Sequence, residues 1–568
     1  MTRSRFRKKK ITGAWRLYLV YGVMSLAVAT IGWKVSSLHI VERGFLQGQG
    51  DARTIRTEPI LSHRGIITDR NGEPLAVSTP VKSIWINPKQ LVSDPSSITV
   101  LAEKMKLNPD VLINNVTANT HREFLYVKRR LPPSEADNIL GLGITGVYAQ
   151  QEYQRYYPQG EVAAHLIGFS NVDDIGQEGL ELAYEDWLRG KPGSRQVMKD
   201  RRGNIIEELN TLQTAEPGNN LQLSVDFRIQ NLAYKELKAE YIKRRASSAT
   251  AVVLDVATGE VLAVVNQPSY NPNNKASISD FSVVRNRAIT DVFEPGSTVK
   301  AFTMVAALES GLFAPSSLIE TRGWMMIGGY EVKDSLNYGT LSLEQVITKS
   351  SNVGSSKIAL SVGPEALRDV LGRVGFGEVT SSGFPGEWGG VLPPIRPGWS
   401  RFETATLSFG YGLSASALQL AQAYSVIARG GIKRPLSLIK QDDEALAKQP
   451  VDQVIDGVIA KQVIAMLETV VDPEKGGTAV EANVPLYTVA GKTGTARLLS
   501  KDGGYTEDGH NSLFVGMAPA TDPRIIVAVV INDPKGEEHY GGQVSAPVFS
   551  RIVSGSMRIL NIAPDKLQ

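Results

Sequence analysis

The chain has 568 residues, several times the usual domain size, so we expect two or more domains and enough material for a large core. Apolar residues make up 42% and charged residues 21%, a balance typical of globular proteins and not of disordered or collagen-like chains. The formal net charge of +3 is too small for this length to indicate nucleic acid as a partner. Cysteine is absent, which excludes disulfide frameworks, thiol catalysis and cysteine-ligated metal sites.

The first forty residues predict a membrane anchor. A basic cluster, Arg3–Lys10, contains no acidic residue, and the uncharged run Leu17–Trp33 follows soon after it. This run is at the short end for a helix that crosses a bilayer, and we place the transmembrane helix at 17–40. Positive flanks stay in the cytoplasm, so residues 1–16 form a short basic cytoplasmic tail and the rest of the chain lies outside. The small residues Ala27-Val28-Ala29 leave a cleaved signal peptide as the alternative.

A junction near residue 220 is expected to divide the outer part of the chain into two domains. The segment Thr214–Asn220 contains Pro-Gly and Asn-Asn, which are typical of a linker or a tight junction. We therefore assign 41–220 to one domain and 221–568 to another. In the first domain, Asn71-Gly72 is a strong hairpin signal between two apolar runs.

The second domain begins with patterns for a strand, a helix and a hairpin. The run Leu221–Val225 predicts a strand, and Asp226 is a suitable N-cap for a helix that continues to about Lys243. Two apolar runs within 249–267 are joined around Thr258-Gly259 and predict a hairpin. We place this hairpin in the middle of an antiparallel sheet.

The sequence Phe-Glu-Pro-Gly-Ser-Thr-Val-Lys at 293–300 puts a serine at the start of a helix. There the unpaired backbone amides and the positive end of the helix dipole favour negative charge on Ser297, as an attacking oxygen requires. Lys300 follows one turn later on the same face. A simple N-cap is the alternative, because serine is a preferred capping residue and Ser437-Leu-Ile-Lys440 repeats the same spacing.

Two further groups of residues supply what the same chemistry needs. Ser350 and Asn352 carry a hydroxyl and a carboxamide two residues apart, able to pass a proton and to hold an amide carbonyl. The run Lys492-Thr493-Gly494-Thr495 lies in a stretch that predicts a strand, where glycine allows another backbone to approach closely. Serine needs an adjacent base at neutral pH, and Lys300 is the candidate because no histidine lies near in a Ser-His-Asp arrangement. Burial and the nearby charge of Lys492 would keep the amine neutral.

The motifs S-x-x-K, S-x-N and K-T-G in this order are the signature of penicillin-binding proteins and serine β-lactamases. The stretches VFEPGSTVK, SSNVG, SFGYGLSAS (408–416) and GKTGTA resemble class B penicillin-binding proteins of the division-specific kind, the septal peptidoglycan transpeptidases. The segments at 63–78 and 155–169 are similar to that family's non-catalytic domain. The resemblance implies a multi-domain α+β fold with a single N-terminal transmembrane helix. An elongated mixed α/β pedestal over 41–220 would precede a transpeptidase domain over 221–568, with a central antiparallel sheet flanked by helices.

The resemblance also implies a role for each matched residue. Ser297 would be the acylated nucleophile, Lys300 its base and Ser350 a proton carrier. The backbone amides of Ser297 and Thr495 would form the oxyanion hole, and Tyr411 and Thr495 would bind substrate. The implied catalytic residues are Ser297, Lys300, Ser350, Asn352, Lys492, Thr493, Gly494 and Thr495. They would cross-link stem peptides that end in D-Ala-D-Ala through an acyl-enzyme, which β-lactams trap, without a cofactor or a metal ion.

The implied partners are peptidoglycan stem peptides, lipid-linked nascent glycan, β-lactam inhibitors, a polytopic septal glycosyltransferase and other division proteins. The division proteins would bind through the transmembrane helix and the pedestal. The implied location is the division site of the bacterial inner membrane, with the N-terminus in the cytoplasm and the catalytic domain in the periplasm. Within the membrane helix, Gly22, Ser25, Ala29 and Gly32 form a stripe of small residues that would let another helix approach. Small residues are also common in membrane spans, so ordinary composition is the alternative.

Other functions use related chemistry. A D,D-carboxypeptidase applies the same motifs to water, and the motifs do not show which acceptor is used, so this function is the main alternative. A β-lactamase would need a deacylation base, and no E-x-x-L-N segment lies between the second and third motifs. A penicillin-binding sensor or a catalytically idle scaffold is disfavoured, because sixteen inner residues are too few for a signalling part and all three motifs are intact.

Two further places in the sequence allow more than one interpretation. His510 and His539 occupy positions where relatives often carry aromatic residues, and we interpret them as polar loop residues and not as the rim of a pocket. Arg64 and the segment Asp69-Arg70-Asn71-Gly72 form either a regulatory hinge or partner surface, or a structural turn with an internal ion pair. The remaining histidines lack the spacing of metal ligands.

Overall fold

The computed structural model describes residues 13–200, 205–499 and 504–566. The basic cluster Arg3–Lys10 therefore lies outside the described residues. Two compact units make up the described chain: the first contains the residues up to Ser62 with Lys191–Glu216, and the second contains His63–Gly190 with the residues from Pro217 onward. The domain boundary that we place at residue 220 stays a prediction.

Before residue 225, groups of strands are separated by groups of helices, which are short except for the N-terminal helix. The first are α1 Ala14–Ser36, α2 Arg43–Thr54, β1 Ile55–Ile60, β2 Ile67–Thr68, β3 Pro74–Ile86, α3 Pro88–Leu91, α4 Pro95–Lys104, α5 Pro109–Ala118 and β4 Leu125–Leu131. The next are α6 Pro133–Leu140, β5 Val147–Tyr156, α7 Ala164–Ile167, α8 Gly179–Ala183, α9 Glu185–Leu188, β6 Gly193–Lys199, β7 Ile205–Gln213 and β8 Leu221–Gln222.

The elements after residue 225 are richer in long helices. The first are α10 Phe227–Arg244, β9 Ser248–Asp255, β10 Val261–Gln267, α11 Arg287–Thr290, α12 Lys300–Glu309, β11 Leu318–Glu320, β12 Trp324–Ile327, β13 Tyr330–Lys333, β14 Thr340–Ser342, α13 Leu343–Thr348, α14 Asn352–Val362 and α15 Pro364–Arg373. The last are α16 Arg401–Leu407, α17 Ala417–Ala428, β15 Ile432–Lys433, α18 Asp443–Lys448, β16 Asp452–Gln453, α19 Gly457–Glu468, β17 Ala490–Leu499, β18 Tyr505–Ala518, β19 Ile525–Asn532, α20 Gly541–Val544 and α21 Ala546–Ile559.

In the first unit, α1 has the length and composition of a membrane-spanning helix. Together with the π-helical turn Ser37–Val41, it forms a continuous stretch of 28 residues, and its most apolar part is not buried in the protein. Among the described residues it is the one helix with these properties. An N-terminal apolar helix therefore exists as predicted and is suited to a single-pass anchor. The same unit contains an antiparallel sheet in the order β1-β6-β7.

The second unit begins with a small sheet whose first turn is the predicted hairpin. Strands β2 and β3 pair antiparallel on either side of Asn71-Gly72, where Gly72 has φ 90°, a left-handed conformation that favours glycine. β8 pairs parallel with β2, and β4 and β5 flank β3. The predicted strand Leu221–Val225 is shorter than expected, since β8 ends at Gln222. The Leu223 amide still donates to the Thr68 carbonyl of β2, whereas the Ser224 amide donates to the Leu438 carbonyl.

Arg64 and Asp69, for which the sequence allowed two interpretations, are buried within this part of the unit. Arg64 Nε lies 2.6 Å from Glu181 Oε2, and Arg155 Nε lies 2.6 Å from Glu181 Oε1, with every one of these side chains at most 1% exposed. The Asp69 carboxylate accepts hydrogen bonds from backbone amides of its own turn and from the amide of Phe227 at the start of α10. These contacts favour the structural turn with internal ion pairs over a surface for partners.

The second unit also contains a five-stranded antiparallel sheet in the order β10-β9-β19-β18-β17. Helices α10 and α21 pack against each other and against this sheet, and α17 packs against it separately. The residues Ile525–Ile531 of β19 are all buried, so helices cover both faces of the sheet at its centre. The hairpin predicted over 249–267 is confirmed as β9 and β10, but its predicted place in the middle is wrong. β19, from the C-terminal end of the chain, pairs with β9, which leaves β10 at the edge.

Candidate active site

The nucleophile motif lies between the sheet and its helices. Gly296–Val299 form a 3₁₀ turn that leads directly into α12, so Ser297 lies at a helix start as predicted. The segment before it is paired on both sides: Phe293 exchanges two backbone hydrogen bonds of 3.0 Å with Ala415, and the Gly296 amide donates to the Gly410 carbonyl at 3.2 Å. The N-cap position of this turn is Pro295, so Ser297 lies inside the turn and is not a simple N-cap. Its half-buried hydroxyl has no hydrogen-bond partner in the described part of the chain and is free to react.

Lys300 is fully buried at the first position of α12. Its Nζ donates to the Ser350 carbonyl oxygen at 2.5 Å and to Asn352 Oδ1 at 2.7 Å, and lies 3.2 Å from Ser350 Oγ. Burial lowers the pKa of Lys300 to about 7, although the Asp334 carboxylate acts in the opposite direction. A large fraction of the amine is therefore neutral near neutral pH, as a general base requires.

The second motif is held in an unusual backbone conformation at the junction of α13 and α14. Ser350 has φ 56°, a left-handed value that is uncommon outside glycine and is found where surrounding contacts enforce it. Ser351 caps α14 by accepting from the Gly354 amide at 2.8 Å. Asn352 is the first residue of α14, so its carboxamide projects from a fixed helix start toward Lys300.

Asp334 holds this motif, and the sequence analysis did not find it. Its carboxylate accepts from Ser351 Oγ at 2.5 Å, from the Asn352 amide at 2.5 Å and from the Val353 amide at 3.0 Å. The residue follows β13, far from the motif in sequence, so no local spacing indicates it. The first turn of α14 contains no acidic residue, and the positive end of a helix favours a nearby carboxylate. This absence is the one signal that could have suggested an acidic residue from elsewhere, such as Asp334.

The third motif runs along β17, which is an edge strand of the sheet. Lys492 is fully buried, and its Nζ lies 3.1 Å from Thr493 Oγ1. Burial, and then the charge of Lys300, lower the pKa of Lys492. The Thr493 hydroxyl is in turn 3.2 Å from that of Thr478. The predicted strand is confirmed, and its outer edge has no neighbouring strand among the described residues.

Glycine brings the first and third motifs into contact. A Cβ on Gly494 would lie 2.9 Å from the Pro295 carbonyl oxygen and 3.0 Å from Thr298 Cγ2, so the nucleophile segment approaches this glycine closely. The approach of a substrate at Gly494 stays a prediction. Gly296 lies beside Thr495, since a Cβ on it would stand 3.5 Å from the Thr495 carbonyl oxygen. The three motifs therefore form one cluster. An oxyanion hole made by the amides of Ser297 and Thr495 stays a prediction.

Tyr411 lies at the end of this cluster near the strand edge. Its ring meets that of Tyr505 edge to face, with centroids 5.5 Å apart, and burial raises its pKa. Glu294 lies beside both tyrosines and accepts a hydrogen bond from the Tyr505 hydroxyl at 3.2 Å. Neither Glu294 nor Tyr505 was predicted from the sequence. Glu294 belongs to the run at 293–300 in which Ser297 and Lys300 were recognised.

The second Ser-x-x-Lys spacing lies outside the cluster. The Ser437 hydroxyl donates to the Ile439 carbonyl within its own turn at 2.6 Å. Lys440 is exposed and donates to the Arg70 carbonyl at 3.0 Å. Neither residue contacts the other motifs in the described part of the chain, so spacing alone does not make a site.

The interpretation of His510 as a loop residue is wrong, because it lies in β18. The charged residues before it interrupt the apolar alternation and hide the start of the strand. Its ring stacks on His539 with centroids 4.4 Å apart and planes at 22°, and both rings line a cavity of about 730 Å³. Burial, followed by the charge of His539, lowers the pKa of His510.

Two known protein families match successive parts of the chain. The penicillin-binding protein dimerisation domain matches residues 59–223, and the penicillin-binding protein transpeptidase domain matches residues 249–554. The second match contains all three motifs.

Individual proteins match over nearly the whole chain. The probable peptidoglycan D,D-transpeptidase PbpC of Pseudomonas aeruginosa is 45% identical over 98% of this chain and 97% of its own. The peptidoglycan D,D-transpeptidase FtsI of Escherichia coli K12 is 44% identical over 98% of this chain and 93% of its own. A crystal structure of penicillin-binding protein 3 from Mycobacterium tuberculosis, complexed with aztreonam, is 27% identical and superposes with a TM-score of 0.69 over 90% of this chain and 98% of its own. This chain therefore belongs to the class B penicillin-binding proteins, in which a dimerisation domain precedes a transpeptidase domain.

Proposed function

We propose that this protein is a peptidoglycan D,D-transpeptidase that cross-links stem peptides through an acyl-enzyme on Ser297. One observation carries the proposal: a fully buried lysine with a pKa of about 7 lies one helical turn after a half-buried serine whose hydroxyl has no hydrogen-bond partner among the described residues. A serine nucleophile requires such a neutral base beside it. The near full-length relatives with this printed activity support the same conclusion.

Acylation begins when the neutral Lys300 amine takes the proton of the Ser297 hydroxyl. The oxygen attacks the carbonyl carbon between the two D-alanines, and the negative oxygen that results is stabilised by the amides of Ser297 and Thr495. One preorganised donor of this kind contributes about 3 kcal/mol of transition-state stabilisation. The C–N bond then breaks, and the departing D-alanine amine receives a proton through Ser350, which lies 3.2 Å from Lys300 Nζ.

Deacylation uses an amine from a neighbouring stem peptide. Its nitrogen attacks the ester carbonyl, a C–N bond forms, the bond to Ser297 Oγ breaks, and the serine recovers a proton. The product is a peptide cross-link. A β-lactam resembles the D-Ala-D-Ala end and leaves Ser297 acylated, so β-lactams inhibit the reaction.

The donor peptide lies along β17 in this proposal. An edge strand presents backbone amides and carbonyls with which an extended peptide pairs as an additional strand. The buried amine of Lys492 and the hydroxyls of Thr493 and Thr495 line the same edge and bind the carboxylate end of the substrate. Tyr411 closes the groove further along.

We also propose where the protein works. The apolar helix α1 anchors it once in the bacterial inner membrane, with the basic N-terminus in the cytoplasm and the catalytic domain in the periplasm at the division site. Its partners are lipid-linked nascent glycan, a polytopic septal glycosyltransferase and other division proteins, which it contacts through α1 and the pedestal. The support is the positive N-terminal flank and the resemblance to division-specific relatives.

The D,D-carboxypeptidase alternative differs only in the acceptor of the acyl group. Incubation of the full-length protein with a pentapeptide donor and an amine acceptor, followed by mass spectrometry, separates the two functions. A transpeptidase gives mainly the amide with the acceptor, whereas a carboxypeptidase gives mainly the hydrolysed tetrapeptide.

The acyl-enzyme itself is tested with fluorescent penicillin followed by peptide mapping. We expect one labelled peptide, with the label on Ser297. A label on any other residue, or no label, would overturn the proposal.

A further inference from the structure

Glu294 lies beside the nucleophile and takes no part in the reaction steps above. It stands three residues before Ser297 and is half-buried. Its Oε1 accepts from the Gly412 amide at 2.9 Å and from the Tyr505 hydroxyl at 3.2 Å. Its Oε2 is buried and has no hydrogen-bond partner among the described residues. One half of the carboxylate is therefore anchored and the other half is left unpaired.

Glu294 forms no ion pair with a lysine or arginine in the described part of the chain, although Arg497 acts on the neighbouring Tyr411. Burial raises the pKa of Glu294, and the Gly412 amide and the Tyr505 hydroxyl act in the opposite direction. A buried carboxylate oxygen without a partner is destabilising, because it has lost its hydrogen bonds to water without replacing them. A cation that reached this oxygen would remove that destabilisation.

Two aromatic rings stand next to the carboxylate. The rings of Tyr411 and Tyr505 meet at 83° with centroids 5.5 Å apart. Aromatic faces attract ammonium groups, and a carboxylate at the same place adds a charge-assisted hydrogen bond. Tyr505 is 44% exposed, so this side of the cluster faces solvent.

We propose that Glu294, Tyr411 and Tyr505 form a binding site for the primary ammonium group of a peptidoglycan diamino acid. The inference rests on the proposed function, because stem peptides carry this group. Two sources supply it: the diamino acid of the donor peptide, held along β17, and the diamino acid of the incoming acceptor. In both cases the ammonium replaces the Tyr505 hydroxyl as partner of the carboxylate and satisfies the unpaired Oε2.

The first test measures binding without catalysis. The probe is a lysine-terminated stem tripeptide with a free or an acetylated side-chain amine, titrated into the detergent-solubilised full-length protein by calorimetry. The variant is Glu294→Gln, which keeps the shape and loses the charge. Glu444→Gln, an exposed glutamate paired with Lys448 on α18, is the matched control.

We expect the parent and Glu444→Gln to bind the free-amine tripeptide about tenfold more tightly than the acetylated one, as the loss of one charged hydrogen bond implies. In Glu294→Gln this preference should disappear. Equal binding of both tripeptides by the parent, or an unchanged preference in Glu294→Gln, would overturn the inference.

A second test identifies the source of the ammonium. If the donor supplies it, Glu294→Gln slows formation of the acyl-enzyme from a pentapeptide with a free amine but not from its acetylated form. If the acceptor supplies it, acylation is unchanged and the ratio of amide product to hydrolysed product falls. A variant that matches the parent in both steps contradicts the site.

Benzylpenicillin, which has no ammonium group, separates this inference from the proposed function. Any fall in the benzylpenicillin acylation rate of Glu294→Gln should be smaller than the change in its use of the free-amine peptides. An equal fall with benzylpenicillin, the acetylated peptides and the free-amine peptides would mean that Glu294 only supports the Ser297 segment, and would overturn the inference. If benzylpenicillin does not acylate the parent, the proposed function is contradicted. The tripeptide titration would still decide whether the ammonium site exists.

Discussion

Lys300 Nζ and Asn352 Oδ1 lie 2.7 Å apart, and this hydrogen bond and the one to the Ser350 carbonyl join the first motif to the second. A neutral amine both donates to this carboxamide oxygen and keeps a lone pair for a proton. An ammonium in the same place would be a fully buried charge, and Asp334 is the opposing charge near it among the described residues. Burial therefore favours the neutral form of the lysine, the form that would act as a base.

The first prediction concerns that lysine. Lys300→Ala should lower the rate of penicillin acylation by two orders of magnitude or more, because general base catalysis contributes about 10²–10⁴-fold. The rate is followed with fluorescent penicillin by stopped flow. The circular dichroism spectrum should stay that of the parent.

The second Ser-x-x-Lys spacing provides the control. Ser437→Ala and Lys440→Ala should acylate at the parental rate, since Ser437 bonds within its own turn and Lys440 is exposed. A variant of Lys300 that acylates as fast as the parent would exclude it as the base. Loss of labelling in Ser437→Ala would move the assignment to the second serine.

The second prediction concerns pH. The base must be neutral, so the acylation rate should be low in acid and rise with pH through about 7. The Asp334 carboxylate raises the pKa of Lys300, so Asp334→Asn should move this rise to lower pH. The plateau rate should also fall, because Asp334 accepts three hydrogen bonds from the second motif.

The pH profile separates these two effects of Asp334. Asp369→Asn, an exposed residue paired with Arg373, should keep the parental profile and plateau. A profile of Asp334→Asn that keeps the parental midpoint would show that the carboxylate does not act on Lys300 through its charge.

The residues of the three motifs could be identified from the sequence, because each motif is a short run with a recognisable spacing. The serine, its lysine and the edge strand each belong to a short run whose residue types and order have a physical reason. Asp334 could not be found in this way, since its contacts depend on how β13 folds back onto α14. The strand order could not be predicted for the same reason. The hairpin β9–β10 is local, whereas the pairing of β9 with β19 joins residues more than 250 positions apart.

The third prediction concerns the packing that positions Ser297. Gly410 has φ 86°, and a Cβ on it would stand 2.1 Å from the Gly296 carbonyl oxygen. Gly410→Ala should therefore shift the nucleophile segment and lower the acylation rate by at least tenfold. The left-handed backbone adds a loss of about 1–2 kcal/mol in the free energy of unfolding.

Gly430 isolates the effect of the clash. It has φ 65° and open space within 4 Å of an added Cβ, so Gly430→Ala carries only the backbone strain. For Gly430→Ala we expect only the loss of stability that the left-handed backbone causes, measured by thermal unfolding. Its acylation rate should be unchanged. Equal acylation rates in the two variants would show that the contact between Gly410 and Gly296 does not position Ser297.

The fourth prediction concerns the membrane helix. Gly22, Ser25, Ala29 and Gly32 recur on one stripe of α1, and small residues on one stripe let another helix approach closely. In lipid, apolar burial gives no driving force between helices, so this close packing is a main source of association. Replacing Ser25 and Ala29 together with leucine should weaken recruitment to the septum, as seen by fluorescence microscopy and cell length. The purified variant should still bind penicillin normally.

A second double variant shows whether the stripe itself matters. Val23 and Ala27 are also four residues apart but project from the other side of α1, so replacing both with leucine adds bulk to the same helix away from the stripe. This control should divide like the parent at matched expression. If the Ser25 and Ala29 variant also divides like the parent, the small residues are ordinary membrane composition, and the partner contacts that we propose lie in the pedestal. If both double variants fail, added bulk anywhere on α1 disturbs the anchor and the stripe has no particular role.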